Sequence, residues 1–136
     1  MWFIIIIILL LLLIIVVGNS DQQKTSPTQS YKEFSINKSS YKNEYSFLVA
    51  GGNFSEYLYA IYNIIKLHSI VTFIPEPDNK FDNNAIKVSC SDWEIGYVPS
   101  YDTDIVSKIM EGDYIAYIEK LSKDGYISIS IKILYN

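Results

Sequence analysis

The chain has 136 residues, 49% of them hydrophobic and 15% aromatic, which is enough apolar material for one small domain with its own core. Its formal net charge is −4, and every cation is a lysine. Arginine is the usual bidentate reader of phosphates and guanines, so the composition argues against strong, charge-driven nucleic-acid binding. A single His, a single Cys and no phosphate-loop or hydrolase motif argue against an enzyme, a zinc site and an internal disulfide. We expect neither catalysis nor a cofactor.

The chain begins with an apolar run from Trp2 to Val17 that contains no charge and no proline. This run predicts membrane targeting, either as a signal peptide cleaved near Gly18 or as an uncleaved anchor that is slightly short for a bilayer. The lack of a basic residue before the run disfavours a signal peptide, whereas the polar residues directly after it favour one. We therefore expect residues 1–18 to be a signal peptide or a membrane anchor. The protein is then membrane-associated or secreted.

Residues 19–43 are rich in Ser, Gln, Asn, Lys and Thr and show no apolar periodicity. Such composition is typical of a disordered polar linker. Asn37-Lys38-Ser39 and Asn53-Phe54-Ser55 fit the N-glycosylation pattern, but such matches arise easily by chance in a chain this rich in Asn and Ser.

From residue 44 onward, the apolar pattern predicts six strands and two helices. The predicted strands are Glu44–Ala50, Ser69–Ile74, Ala85–Cys90, Glu94–Val98, Tyr114–Leu121 and Tyr126–Leu134. One helix is predicted after an N-cap at Ser55 and the other over Ser100–Met110. Gly96, inside the fourth strand, predicts a bulge or a close backbone approach.

A long polar turn separates the second and third strands. Pro75 and Pro77 end the apolar run before it, because proline cannot donate to a sheet ladder. The turn is then built from residues that bond their own backbone and tolerate left-handed geometry, namely Asp78, Asn79, Asp82, Asn83 and Asn84.

The turn and the strands around it carry a recognisable motif. The motif is Glu76-Pro77-x-Asn79-x-Phe81-Asp82-x-Asn84-Ala85-Ile86-x-Val88, followed by Ile95-Gly96-Tyr97-Val98-Pro99. It resembles the HIRAN domain, and the resemblance covers about Tyr45 to Asn136. It implies that residues 44–136 form a mainly β domain with two helices, a small OB-like barrel of six strands.

The resemblance also implies a function. In DNA-binding HIRAN domains a groove holds the 3′ end of a single strand, aromatic side chains stack its terminal bases, and an aspartate accepts a hydrogen bond from the 3′-hydroxyl. By motif, Phe81 and Phe54 would stack bases and Asp82 would bind the hydroxyl. Asn53, Tyr97 and Ser100 occupy positions where such members carry a basic residue, a His and a Lys, and these six residues form the predicted nucleic-acid site.

Each of these residues also has a structural interpretation. Asp82 is a common turn-capping residue, Phe81 could anchor the turn in the core, and Phe54 could start the following helix as a hydrophobic staple. Lys80 and Lys87 are the cations that flank the predicted site. We expect a non-catalytic module that binds single-stranded DNA ends. The alternative is a membrane-tethered or secreted protein-interaction module that kept the fold and lost DNA binding.

Overall fold

The computed structural model describes residues 35–54 and 56–136. The predicted leader, most of the predicted linker and the predicted N-cap Ser55 lie outside the described residues. Residues Ile36–Asn136 form one compact unit. In chain order its elements are the one-turn 3-10 helix Lys38–Ser40, β1 (Asn43–Leu48), α1 (Leu58–Asn63), β2 (Ile70–Pro75), β3 (Ile86–Cys90), β4 (Trp93–Tyr97), α2 (Thr103–Met110), β5 (Tyr114–Ser122) and β6 (Ser128–Tyr135).

The six strands form one antiparallel sheet in the order β1-β6-β5-β2-β3-β4. Strand β2 is shared between two parts of the sheet: Ile70 and Val71 pair with β5, and residues from Thr72 onward pair with β3. The predicted class, mainly β with six strands and two helices, is confirmed. Within the described residues, no helix is long and apolar enough to span a membrane.

Strands β1 and β4 lie at the two ends of the strand order. Ala50, just after β1, and Tyr97 of β4 form an isolated bridge instead of a continuous ladder. The sheet is therefore open, whereas the predicted barrel would be closed. The Ala50 N–H donates to the Tyr97 carbonyl at 2.8 Å, and the Tyr97 N–H donates to the Ala50 carbonyl at 2.9 Å. Gly96 permits this seam, because its φ is +136° and a Cβ there would overlap the Ala50 carbonyl oxygen. The pairing register also shifts opposite Gly96, between Val88 and Ser89. Both predicted consequences of Gly96, the bulge and the close approach, are present.

The core lies on the inner face of the sheet and is dominated by isoleucine. Alternation along the strands directs one set of side chains inward, as expected for a half-buried sheet. Fully buried isoleucines are Ile61, Ile65, Ile86, Ile95, Ile118, Ile129, Ile131 and Ile133. Each contributes about 1.5–3 kcal/mol by leaving water. The Cys90 thiol is buried in the same core, and burial raises its pKa.

The compact unit begins earlier than the predicted domain. Residues 36–43, expected to be the end of the linker, belong to it. The 3-10 helix places the Lys38 ammonium 5.8 Å from the centroid of the Tyr117 ring, within the range of a cation–π contact. No apolar periodicity marks this segment, so the sequence pattern gave no sign of the contact.

Candidate functional site

The Glu76 carboxylate connects several elements of the site through hydrogen bonds and an ion pair. Glu76 directly follows β2, and its backbone N–H donates to the Ala85 carbonyl at 2.9 Å. Its Oε1 lies 2.5 Å from the Lys87 ammonium, while Oε2 accepts hydrogen bonds from the Tyr97 hydroxyl at 2.9 Å and from Asn79 Nδ2 at 3.0 Å. The hydrogen bond from Lys87, followed by that from Asn79, holds the pKa of Glu76 below its ordinary value. Glu76 is therefore an ionised hub for β2, β3, β4 and the loop after β2.

The loop of residues 77–84 is ordered by side-chain caps. Asn79 Oδ1 accepts hydrogen bonds from the backbone N–H groups of Phe81 at 3.0 Å and Asp82 at 3.3 Å. Asp82 Oδ1 accepts one from the Asn84 N–H at 2.8 Å. Asp82 therefore caps the turn, as its structural interpretation predicted, with one of its two carboxylate oxygens. The other, Oδ2, makes no hydrogen bond with any residue in the described part of the chain.

Two exposed aromatic rings border a groove beside this loop. Phe81 is 98% exposed and Phe54 is 61% exposed, so the interpretation of Phe81 as a core anchor is wrong. The Phe54 ring lies 6.5 Å from the Tyr57 ring between centroids. The groove has a volume of about 430 Å³ and brings together five of the predicted site residues: Phe54, Phe81, Asp82, Tyr97 and Ser100.

Two tyrosines form the wall of the groove. Burial, followed by the neighbouring Tyr97 and a hydrogen bond to Glu56, raises the pKa of Tyr57 far above its ordinary value. Burial and the hydrogen bond to Glu76 likewise raise the pKa of Tyr97. Both hydroxyls therefore stay protonated at neutral pH and act as hydrogen-bond donors. The Tyr97 hydroxyl donates its hydrogen bond within the protein, to Glu76.

The remaining predicted residues lie at the periphery. Ser100 is exposed at the groove and its backbone carbonyl accepts a hydrogen bond from the Thr103 hydroxyl at 3.0 Å. Asn53 does not line the groove. Its side chain makes two hydrogen bonds of 3.1 Å with the backbone N–H and C=O of Ile127, which fasten the segment after β1 to the turn before β6.

Two residues that shape the site have no role in the sequence-based prediction. Glu76 was visible only as a member of the motif. Tyr57 carried no signal beyond its place before a helix, although it is 5% exposed and forms the groove wall. Long-range partners decide both roles, Lys87 for Glu76 and Tyr97 for Tyr57, and no local pattern encodes them.

The profile of the HIRAN domain matches residues 45–133, well over half of the chain. The chain belongs to the HIRAN family. HIRAN domains are generally DNA-binding modules, so family membership supports nucleic-acid binding at that level. No curated protein matches the chain significantly.

Two solved structures share the HIRAN fold of this chain. The HIRAN domain of human HLTF has a TM-score of 0.53 and 15% identity, with 68% of this chain and 74% of that chain covered. A protein from Lactobacillus plantarum has a TM-score of 0.52 and 16% identity, with 69% of this chain and 100% of that chain covered. At such identities the likeness concerns the fold alone.

The groove of this HIRAN domain is acidic. Among the described residues that line it are two carboxylates, Glu56 and Asp82, and no lysine. Lys87, expected to flank the site as a cation, is held by Glu76 and by Glu94 at 2.6 Å. Those two hydrogen-bonded partners raise the pKa of Lys87. Lys87 is therefore committed to the protein, and Lys80 is the flanking cation that stays exposed on the loop.

Proposed function

We propose that this HIRAN domain is a non-catalytic module that binds the ends of single-stranded nucleic acid in the groove between Phe54 and Phe81. The observation that carries the proposal is the 98% exposure of Phe81 at the tip of a loop that is held in place by Asn79 and Asp82. Exposing an aromatic ring on an ordered loop forgoes about 1.5–3 kcal/mol of burial. A ring presented in this way is suited to stack on a base.

The polar groups beside the rings suit a terminal hydroxyl. Asp82 Oδ1 caps the turn by accepting from the Asn84 N–H, and Oδ2 is left to accept a hydrogen bond from a 3′-hydroxyl. An internal nucleotide has no such donor at this position, and a 3′-phosphate would meet the carboxylates of Asp82 and Glu56 with like charge. Binding should therefore require a free 3′-hydroxyl end.

The charges also predict how binding responds to salt. Stacking on an aromatic ring contributes about 1–3 kcal/mol per base and tolerates any base. Counterion release contributes little here, because Lys80 is the exposed cation beside the groove. We expect weak to moderate affinity with a shallow salt dependence, with a slope of about −0.7 for a single phosphate contact on single-stranded DNA.

The test is fluorescence anisotropy of the full-length protein in nonionic detergent with labelled single-stranded oligonucleotides. The oligonucleotides end in either a 3′-hydroxyl or a 3′-phosphate. Phe81→Ala should weaken binding of the hydroxyl end by about five- to a hundredfold, the loss of one stacked base. Asp82→Asn keeps the oxygen that caps the turn and removes the charge, so it should reduce the preference for the hydroxyl end.

Tyr126→Ala is the matched control. Tyr126 is 79% exposed on the β5–β6 hairpin and does not line the groove, so its removal should leave binding unchanged. No binding at low salt, or equal binding of both ends by the wild-type protein, would reject the proposal.

A further inference from the structure

A second cleft adjoins the groove at the tyrosine wall. It has a volume of about 470 Å³ and is lined by Glu56, Tyr57, Asp92, Trp93, Glu94 and Tyr97. It shares Glu56, Tyr57 and Tyr97 with the groove proposed for nucleic acid, so the two depressions adjoin each other. The β3–β4 hairpin supplies its outer side. Neither the family resemblance nor the proposed function assigns it a role.

The hairpin holds an indole ring at the surface. Ser91 and Asp92 form the two-residue turn with φ of 50° and 68°, the left-handed pair of values that a tight hairpin needs. This turn places Trp93 opposite Cys90 in the ladder. Trp93 is 43% exposed and its ring lies 5.0 Å from that of Tyr59, itself 57% exposed. The result is an aromatic pair with surface left in water.

The charges that line the cleft are negative: Glu56, Asp92 and Glu94. Lys87, which pairs with Glu94, is shared with Glu76 and does not line the cleft. No group of three or more His, Cys, Asp or Glu side chains in the described residues is placed to hold a metal ion. Carboxylates spaced in this way cannot converge on one small ion, but they can surround an extended organic cation.

We propose that this cleft binds the guanidinium group of an arginine in a basic segment of a partner protein. A guanidinium is planar and weakly hydrated, stacks on indole, and presents five N–H donors that can reach separate carboxylates. An ammonium group lacks the planar stacking face, and phosphates are repelled by the three carboxylates. The domain would then hold a nucleic-acid end and a basic protein segment in two adjoining depressions that share Tyr57 and Tyr97.

The first experiment uses Trp93 as the reporter. In the full-length protein with Trp2→Phe, Trp93 is the single tryptophan. Titration with a blocked tetra-arginine peptide in nonionic detergent should change its fluorescence to saturation. A blocked tetra-lysine peptide should bind more weakly, and tetra-glutamate should produce no change. Saturable binding of tetra-glutamate, or no response to tetra-arginine at low salt, would overturn the proposal.

The second experiment uses a labelled tetra-arginine peptide and anisotropy, with far-UV circular dichroism to show that each variant is folded. Trp93→Leu should weaken binding by about fivefold, the equivalent of a cation–π contact of ~1 kcal/mol. Asp92→Asn keeps a residue that tolerates the left-handed turn and should weaken binding to a similar extent. Asp124→Asn removes a charge from the other hairpin and is the matched control. Unchanged affinity in both Trp93→Leu and Asp92→Asn would refute the site.

Discussion

Replacing Glu76 with glutamine tests whether this carboxylate organises the site. The substitution keeps the shape of the side chain and removes its charge. The glutamine carbonyl can still accept from the Tyr97 hydroxyl or from Asn79, but the 2.5 Å contact with Lys87 no longer joins opposite charges. Lys87 keeps Glu94 as a partner, so no cation is stranded.

The expected loss is about 2 kcal/mol of the free energy of unfolding. The Glu76 side chain is 23% exposed, so its ion pair is more protected from solvent than a surface pair. A hydrogen bond to a charged group contributes about 1.5–3 kcal/mol, and one such bond is lost. In a domain of this size ~1 kcal/mol corresponds to about 4–8 °C in Tm, so the variant should melt roughly 8–16 °C lower at pH 7.

The effect should depend on pH in a fixed direction. The folded-state pKa of Glu76 lies below its ordinary value of 4.5, so the carboxylate stabilises the fold above pH 4.5. That contribution is lost as the pH falls through the folded-state pKa. The difference in Tm between wild type and Glu76→Gln should therefore be full at pH 7 and shrink progressively below pH 4.5.

Thermal unfolding of the full-length protein in detergent, followed by near-UV circular dichroism from pH 7 to pH 3, measures this difference. Glu111→Gln is the control, because Glu111 is exposed after α2 and makes no ion pair with another described residue. A difference of less than about 0.5 kcal/mol at pH 7, the usual range of a surface substitution, would refute the role of Glu76 as a hub. A difference that stays constant down to pH 3 would refute the electrostatic explanation.

Two further substitutions test the seam and the anchoring of the start of α2, and a third, Gly125→Ala, is the control for the first. Gly96→Ala should destabilise the domain by about 3 kcal/mol or more in urea unfolding, because its Cβ would overlap the Ala50 carbonyl at a φ of +136°. In the same assay Gly125→Ala, also at positive φ but in open space, should cost about 1–2 kcal/mol. Tyr45→Phe should cost about 1–3 kcal/mol, because the buried Asp102 carboxylate loses the tyrosine hydroxyl that donates to it. That hydrogen bond, then burial, raises the pKa of Tyr45 to about 12, so its contribution should be lost only as the pH rises from 10 through 12. An unchanged urea midpoint for Tyr45→Phe would contradict this.

Strand positions could be predicted from the sequence because alternation is a local property. All six predicted strands lie within two residues of the observed ones at each end, as Glu94–Val98 against β4 illustrates. The bulge at Gly96 could also be predicted, because a glycine inside a strand usually marks a bulge or a close backbone approach. The order of the strands and the open seam depend on contacts between distant residues. They did not follow from any local pattern.

The sequence predicted five of the residues that line the candidate site, but not their exposure or the ion pairs beside them. The motif predicted Phe81 and Asp82 as site residues, but the sequence could not decide whether the Phe81 side chain is buried or exposed. Exposure depends on how the whole loop is held, and that depends on Glu76 and Asn79. The same limit explains Lys87, which was predicted as a flanking cation and is bound by two acids.

The pairing of β1 with β6 has a consequence for how the protein is made. Asn43 lies opposite Tyr135, and Leu48 lies opposite Ser130, so the first strand is held by the last. During synthesis, β1 has no strand partner on either edge until the residues of β6 are available. Such non-local pairing slows folding, and an unpaired strand is prone to associate with other chains. Synthesis therefore leaves the nascent domain exposed until its final strand is added, and a chain that stalls late should be the form that aggregates.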